Sequence, residues 1–160
     1  VFNGEVTPAD ASEWAEQLDD DLDLAQNLKG KSWTSIPRDF VERHYSDLPL
    51  LTPLAFASFL PAWLLCALET LDGTNDVRDH VVFHFCPHES DRKFPILAAW
   101  REDRLNRLSE ELRSVIRRFL EFVANRERSR FVRDKALEAL EALGPPSVEV
   151  DRKDLPPRES

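Results

Sequence analysis

Four glycines are all that the 160 residues hold, and Gly4, Gly30, Gly73 and Gly144 stand far apart. A phosphate-cradling loop needs glycines within a few residues of one another, so neither a G-x-G-x-x-G turn nor a P-loop can be written. The G-x-S-x-G elbow of serine hydrolases is missing as well. Cysteine is equally sparse. Cys66 and Cys86 do not make a disulfide framework, and a reducing cytoplasm is the expected setting. The opening VFNGEVTPADASEW has no basic stretch followed by an apolar one, so no signal peptide is read there. Repeats and a series of strand-like segments are also lacking.

Charge is lacking in one place. Leu48–Leu68 reads LPLLTPLAFASFLPAWLLCAL, without a single acid or base in a chain that is 32% charged. Its prolines argue against a membrane span. Thr52-Pro53 is a helix start, since threonine caps and proline is tolerated at the first helical position. A helix from Pro53 to Leu68 is roughly 24 Å long at ~1.5 Å per residue, short of a ~30 Å hydrocarbon core. The flanks, Asp47 and Glu69, are acidic, and no Lys or Arg adjoins the stretch to anchor it. Pro61 removes one backbone bond and is expected to bend the helix. The stretch is therefore read as a buried central helix, and no membrane association is expected.

What is present in excess is acid. The net charge is −9, and residues 1–28 carry eight acids and no base. Residues 101–133 run the other way, with ten Arg against six acids. Arg outnumbers Lys sixteen to five, which hints at a GC-rich bacterial source. Such polarity either folds one segment against the other or shows each to a partner.

Punctuation along the chain gives the remaining elements. Thr7-Pro8 opens a helical segment over Ala9–Leu24, closed by Gly30. Pro37–Ser46 reads as a short helix. Thr74–Cys86 is ambiguous: Val81-Val82-Phe83-His84-Phe85 suits a buried strand, but Val77, Val81 and Phe85 keep helical spacing and Pro87 stops it, which favours helix. A short helix is expected around Ile96–Leu105. Ser109 caps a clear helix with Glu110 and Glu111 in its first turn, and its Leu112, Val115, Ile116, Phe119, Leu120 and Val123 make an apolar stripe. Phe131–Leu143 is the last helix, closed by Gly144 ahead of Pro145-Pro146. The fold class is all-α, a compact single-domain bundle of five to seven helices around the central helix at about 53–68. Three parts are read: an acidic helical segment over 1–29, a helical core over 30–143, and a Pro-rich polar tail over 144–160.

Trp33-x-x-Ile36-Pro37, Leu51-Thr52-Pro53-x-Ala55-Phe56-x-x-Phe59-Leu60-Pro61-Ala62, Phe85-x-Pro87, and Leu108-Ser109 leading to Phe119-Leu120-Glu121-Phe122 together resemble an uncharacterised bacterial family, a domain of unknown function. The resemblance covers about residues 30–125, and the block from Leu51 to Ala62 is its most specific part. It implies a small helical bacterial protein and carries over no catalytic residue.

Histidine gives the sharpest candidate chemistry. His80, His84 and His88 share one short segment with Cys86. On a helix His80 and His84 stand one turn apart, and imidazole nitrogens hold zinc or a similar transition metal at ~2.0–2.1 Å. Cys86 or His88 would complete the set. Against this, Pro87 breaks the register and no Glu follows His80 to make H-E-x-x-H. The ordinary reading is a set of part-buried neutral histidines. The acidic run of Asp19, Asp20, Asp21 and Asp23 lacks the Gly and Glu framework of a calcium loop, so it reads as solvated surface. The arginines after Ser109 suggest phosphate contacts, but interspersed acids, a sequence pI of about 4.9 and the lack of an aromatic platform argue against nucleic acid. Ion pairs on helix surfaces and side-chain stems packed over the core are the expected uses.

With strong catalytic signatures absent, the expected function is a non-enzymatic, cytoplasmic protein-interaction module that needs no cofactor. Its acidic segment suits a basic partner, as in an immunity or accessory protein that masks a basic toxin or enzyme. Trp14 and Trp100, each in a polar neighbourhood, are the expected anchors together with Asp19, Asp20, Asp21 and Asp23. A metal-dependent enzyme built on His80, His84, Cys86 and His88 is the alternative.

Overall fold

A computed structural model describes residues 22–69, 76–88, 91 and 93–144. Within them seven α-helices follow in order: α1 (Leu22–Leu28), α2 (Arg38–Arg43), α3 (Pro53–Glu69), α4 (Asp76–Phe85), α5 (Pro95–Asn106), α6 (Glu110–Arg126) and α7 (Arg130–Leu143). Two short 3-10 turns, Trp33–Ser35 and Leu48–Leu50, flank α2. No strand occurs among the described residues, so the ambiguous segment after Thr74 is helical. The expected helical segment over Ala9–Leu24, apart from Leu22–Leu24 in α1, and the expected tail over 144–160, apart from Gly144, lie outside the described residues.

The charge-free stretch is the hub. Thr52 caps α3, with Ala55 N–H donating to Thr52 Oγ1 at 3.3 Å and Phe56 N–H to its carbonyl at 2.8 Å. The helix then runs without interruption through Pro61 to Glu69. Ala55, Phe56, Phe59, Leu60, Trp63 and Ala67 are each fully buried, because α2, α4, α5, α6 and both 3-10 turns all pack on α3. A helix apolar on every side is stable only when it is surrounded in this way. Leu24 and Leu28 of α1 enter the same core. No helix in the described residues is long and apolar enough to cross a membrane.

Helix α2 is shorter than Pro37–Ser46. Its last turn gives way at His44, whose Nδ1 meets Asp47 Oδ2 at 2.7 Å and whose carbonyl accepts the Trp63 indole N–H at 3.2 Å. A turn bond from the Asp47 N–H to the same carbonyl at 3.1 Å, together with the tertiary bond from Trp63, replaces the helical one there. Helices α6 and α7 form the most extensive pair. Ser109 and Ser129 cap them, and Gly144, at φ 69°, closes α7. Some of the arginines in this region are used within the molecule, while Arg118, Arg126, Arg128 and Arg133 are exposed. Arg113 donates to the Leu105 carbonyl and Arg117 to the Gly144 carbonyl, while Arg130 faces Asp134 at 3.6 Å. Arg78 is buried on α4 and pairs with Glu127 at 2.8 Å and Asp79 at 3.2 Å, tying α4 to the α6–α7 turn.

Candidate functional site

Helix α4 carries the histidine segment between two cavities. The first, of about 310 Å³, is walled by His80, Phe83, His84 and Cys86 of that segment, by Tyr45, Leu48 and Pro49 of the stretch before α3, and by Trp100 and Arg101 of α5, with His88 and Asp91 also at its edge. The second, of about 440 Å³, is walled by Phe83, Cys86, Pro87, His88, Phe131 and Lys135. Phe83, Cys86 and His88 border both, so the two adjoin along one face of the molecule.

The four residues singled out as metal candidates thus gather at one place, but each does something different. His80 is exposed, its Nδ1 lies 2.9 Å from the Asp76 carbonyl, and its ring meets Tyr45 edge-on at 4.6 Å. That carbonyl can only accept, so His80 Nδ1 carries the proton. His84 packs its ring on Phe56 at 4.7 Å and edge-on to Phe85 at 5.6 Å, and its Nε2 is enclosed with no hydrogen-bond partner. Burial, reinforced by the charges of Arg104 and Arg101, pushes its pKa down to about 3, so the ring is neutral. Cys86 Sγ donates to the Lys135 carbonyl of α7 at 2.9 Å. Burial, with the Glu138 charge, pushes this thiol up to about 11, away from the thiolate a metal prefers. His88 is exposed beyond Pro87. Among the described residues no three His, Cys, Asp or Glu side chains are placed to hold a metal ion.

Of the expected anchors, Trp100 is described, 37% exposed and part of the first cavity's wall. Trp14, Asp19, Asp20 and Asp21 lie outside the described residues, as does the side chain of Asp23.

Two functional-looking side chains escape a reading of the sequence. Arg101 pairs with Asp91, and this contact holds the Asp91 carboxyl below its ordinary pKa. Arg104 is 1% exposed. Its guanidinium stacks over the Trp100 ring and donates to the carbonyls of Pro49 at 2.9 Å, Leu51, and Trp100 at 3.3 Å. Its Nε–H has no partner. The carboxylate charge acting on it comes from Asp103, which pairs at the surface with Arg107 at 3.5 Å instead. Burial lowers its pKa to about 10, which still leaves it charged. An arginine in a polar stretch reads as surface. The available signal is its spacing, four residues after Trp100 on a helix, which brings a cation onto an aromatic face.

No curated protein and no solved structure matches the chain. A family of unknown function (DUF6714) matches over residues 7–143, wider at both ends than the expected 30–125 and taking in most of the acidic N-terminal segment. The chain belongs to that family.

Proposed function

We propose that this protein is a non-enzymatic binding module of the cytoplasm, an accessory protein that covers an apolar anchor on a basic partner protein. The observation that carries this reading is the apolar face around the adjoining cavities. Phe131 is 62% exposed, Phe83 is 36% exposed, and their rings lie 5.7 Å apart. Across the first cavity stand Trp100 and, one turn earlier on α5, Ile96 at 77% exposure. Large aromatic groups flanking concave apolar surface are what a protein interface uses as its centre. The net charge of −9 would speed encounter with a basic surface without determining where it docks.

Phe131→Asp tests the reading, because the side chain is exposed and its loss leaves the core intact. Immobilised wild-type chain is expected to retain a basic protein from the native lysate, and the variant to lose at least about ten-fold of it at an unchanged melting temperature. Equal retention by both would remove this face as the binding surface. Retention of no protein at all would remove the reading.

A further inference from the structure

Every described arginine ahead of Arg118 has a partner. Some meet a carboxylate, as Arg38 meets Glu42 and Arg101 meets Asp91. Others donate to a backbone carbonyl, as Arg43 does to that of Asp39 and Arg113 to that of Leu105. At the α6–α7 turn the matching fails. Arg126, Arg128 and Arg133 are exposed and meet no carboxylate among the described residues. The acids at this turn are committed elsewhere: Glu127 to Arg78 and the Ser129 N–H, Asp134 to Arg130. Only three residues separate α6 from α7, so the three guanidinium groups share one corner of the molecule. Their surplus of positive charge stands out in a chain of net charge −9. Like charges this close raise the local potential and draw an anion that carries several charges of its own.

The chain itself holds such an anion. Residues 1–21 carry seven acids and no base, and they lead directly into α1. Glu5 stands 17 residues ahead of Leu22 and Asp10 stands 12 ahead, which sets their reach at roughly 57 and 40 Å, at ~3.3–3.4 Å per residue. A body of about 120 residues is about 35 Å across and about 55 Å round half its girth, so the corner is within reach wherever it lies relative to α1. A tethered segment meets its site at an effective concentration of roughly millimolar, so contacts too weak to hold a free peptide suffice. The family match begins at residue 7 and takes in most of this segment together with the corner. Nucleic acid is the competing polyanion, but it is untethered and is repelled by the net charge.

We infer that the acidic segment ahead of α1 docks on the arginine corner of its own chain, with Glu5, Asp10, Glu13 and Glu16 against Arg126, Arg128 and Arg133. Arg128 stands three residues before the exposed Phe131. The docked segment therefore borders the apolar face and turns that border from positive to negative, so that a basic partner meets acid beside Phe131 instead of arginine. This consequence rests on the partner-binding reading. The docking does not, because it is a property of the free chain.

Carbodiimide cross-linking of the full chain carrying Arg128→Lys tests it. The substitution keeps the charge and supplies an amine that forms an amide with an adjacent carboxylate, while the carbodiimide leaves as its urea. Mass spectrometry of the monomer is expected to show links from position 128 to Glu5, Asp10, Glu13 or Glu16. They should fall at least about five-fold between about 20 mM and 1 M salt, and as far when Arg126→Glu and Arg133→Glu are added at an unchanged melting temperature. Arg107→Lys, at an exposed position on the far side of Asp103, is the control and should give at most about a fifth as many links to these acids. No link from position 128 to these acids would overturn the inference, as would equal linking from position 107. Links confined to the cross-linked dimer would place the segment on a second copy and overturn docking within one chain. Binding of a single-stranded 20-mer DNA by the wild type, lost with Arg126→Glu and Arg128→Glu, would give the corner to nucleic acid and also overturn it. No partner enters the measurement, so its failure is distinct from failure of the partner-binding reading.

Discussion

His84 shows how a single position serves packing at the expense of polarity. Its ring fills a slot beside Phe56 and Phe85 that a phenylalanine would also fill, yet it brings a nitrogen that finds no partner there. With its pKa near 3 in the folded chain, it stays neutral where an unfolded histidine takes a proton at about 6.5. Between those values the unfolded chain binds more protons than the folded one. The stabilisation from keeping His84 neutral is therefore complete above about pH 6.5 and is lost as the pH falls toward 3. From pH 7 to pH 5 the loss amounts to about 2 kcal/mol. Urea unfolding of the wild type at the two pH values should show this fall, and His84→Phe should show about 2 kcal/mol less of it. Identical pH dependence in the two proteins would mean that His84 is not the group being titrated.

At the scale of elements, caps were the most legible part of the sequence and ion pairs the least. Thr52, Ser109 and Gly144 sit at helix ends because side-chain oxygens and a positive φ act locally, within a few residues of sequence. The α4 helix was recoverable from the spacing of Val77, Val81 and Phe85, all of which are buried. The early end of α2 was not, since it depends on Trp63 reaching back to the His44 carbonyl. Arg78 belongs to the same class. It reads as a surface arginine and is in fact buried against Glu127, 49 residues away in sequence. Removing the carboxylate takes the nearer counter-charge from a buried cation under the α6–α7 turn, and also frees the Ser129 N–H that Glu127 accepts at 2.8 Å. Glu127→Ala should cost about 2–3 kcal/mol, below the ~3–5 typical of a broken buried pair because Asp79 remains beside Arg78. The double variant Arg78→Met, Glu127→Leu should recover part of that loss, since an apolar pair carries no stranded charge. Chemical denaturation reads both, and a single-variant cost below about 0.5 kcal/mol would show that the pair does not tie these elements together.

Across the whole molecule, the charge-free stretch fixed the architecture and left the chemistry open. A long apolar helix needs neighbours on every side, which is why the buried centre of the bundle could be read from Leu48–Leu68, and the caps and spacing elsewhere made those neighbours helices. The cavity could not be read that way, because Tyr45, Pro49, Trp100 and Arg101 reach the histidine segment only through packing. That packing also bears on whether the molecule carries a metal. Zinc takes three or four converging ligands. Here His80 Nδ1 is held by its own helix, the His84 Nε2 is enclosed beside aromatic rings, the Cys86 proton is given to the Lys135 carbonyl, and His88 lies past Pro87. Assembling a site would require breaking the Cys86 bond to α7 and turning His84 out of the core. A core this continuous around α3 also has no need of metal-derived folding energy. Protein purified without chelator is expected to contain well under one equivalent of zinc or any other transition metal, and to melt at the same temperature with and without EDTA. One equivalent of metal, lost when His80 and His84 are both changed to alanine, would make the histidine segment a metal centre and the molecule a candidate enzyme.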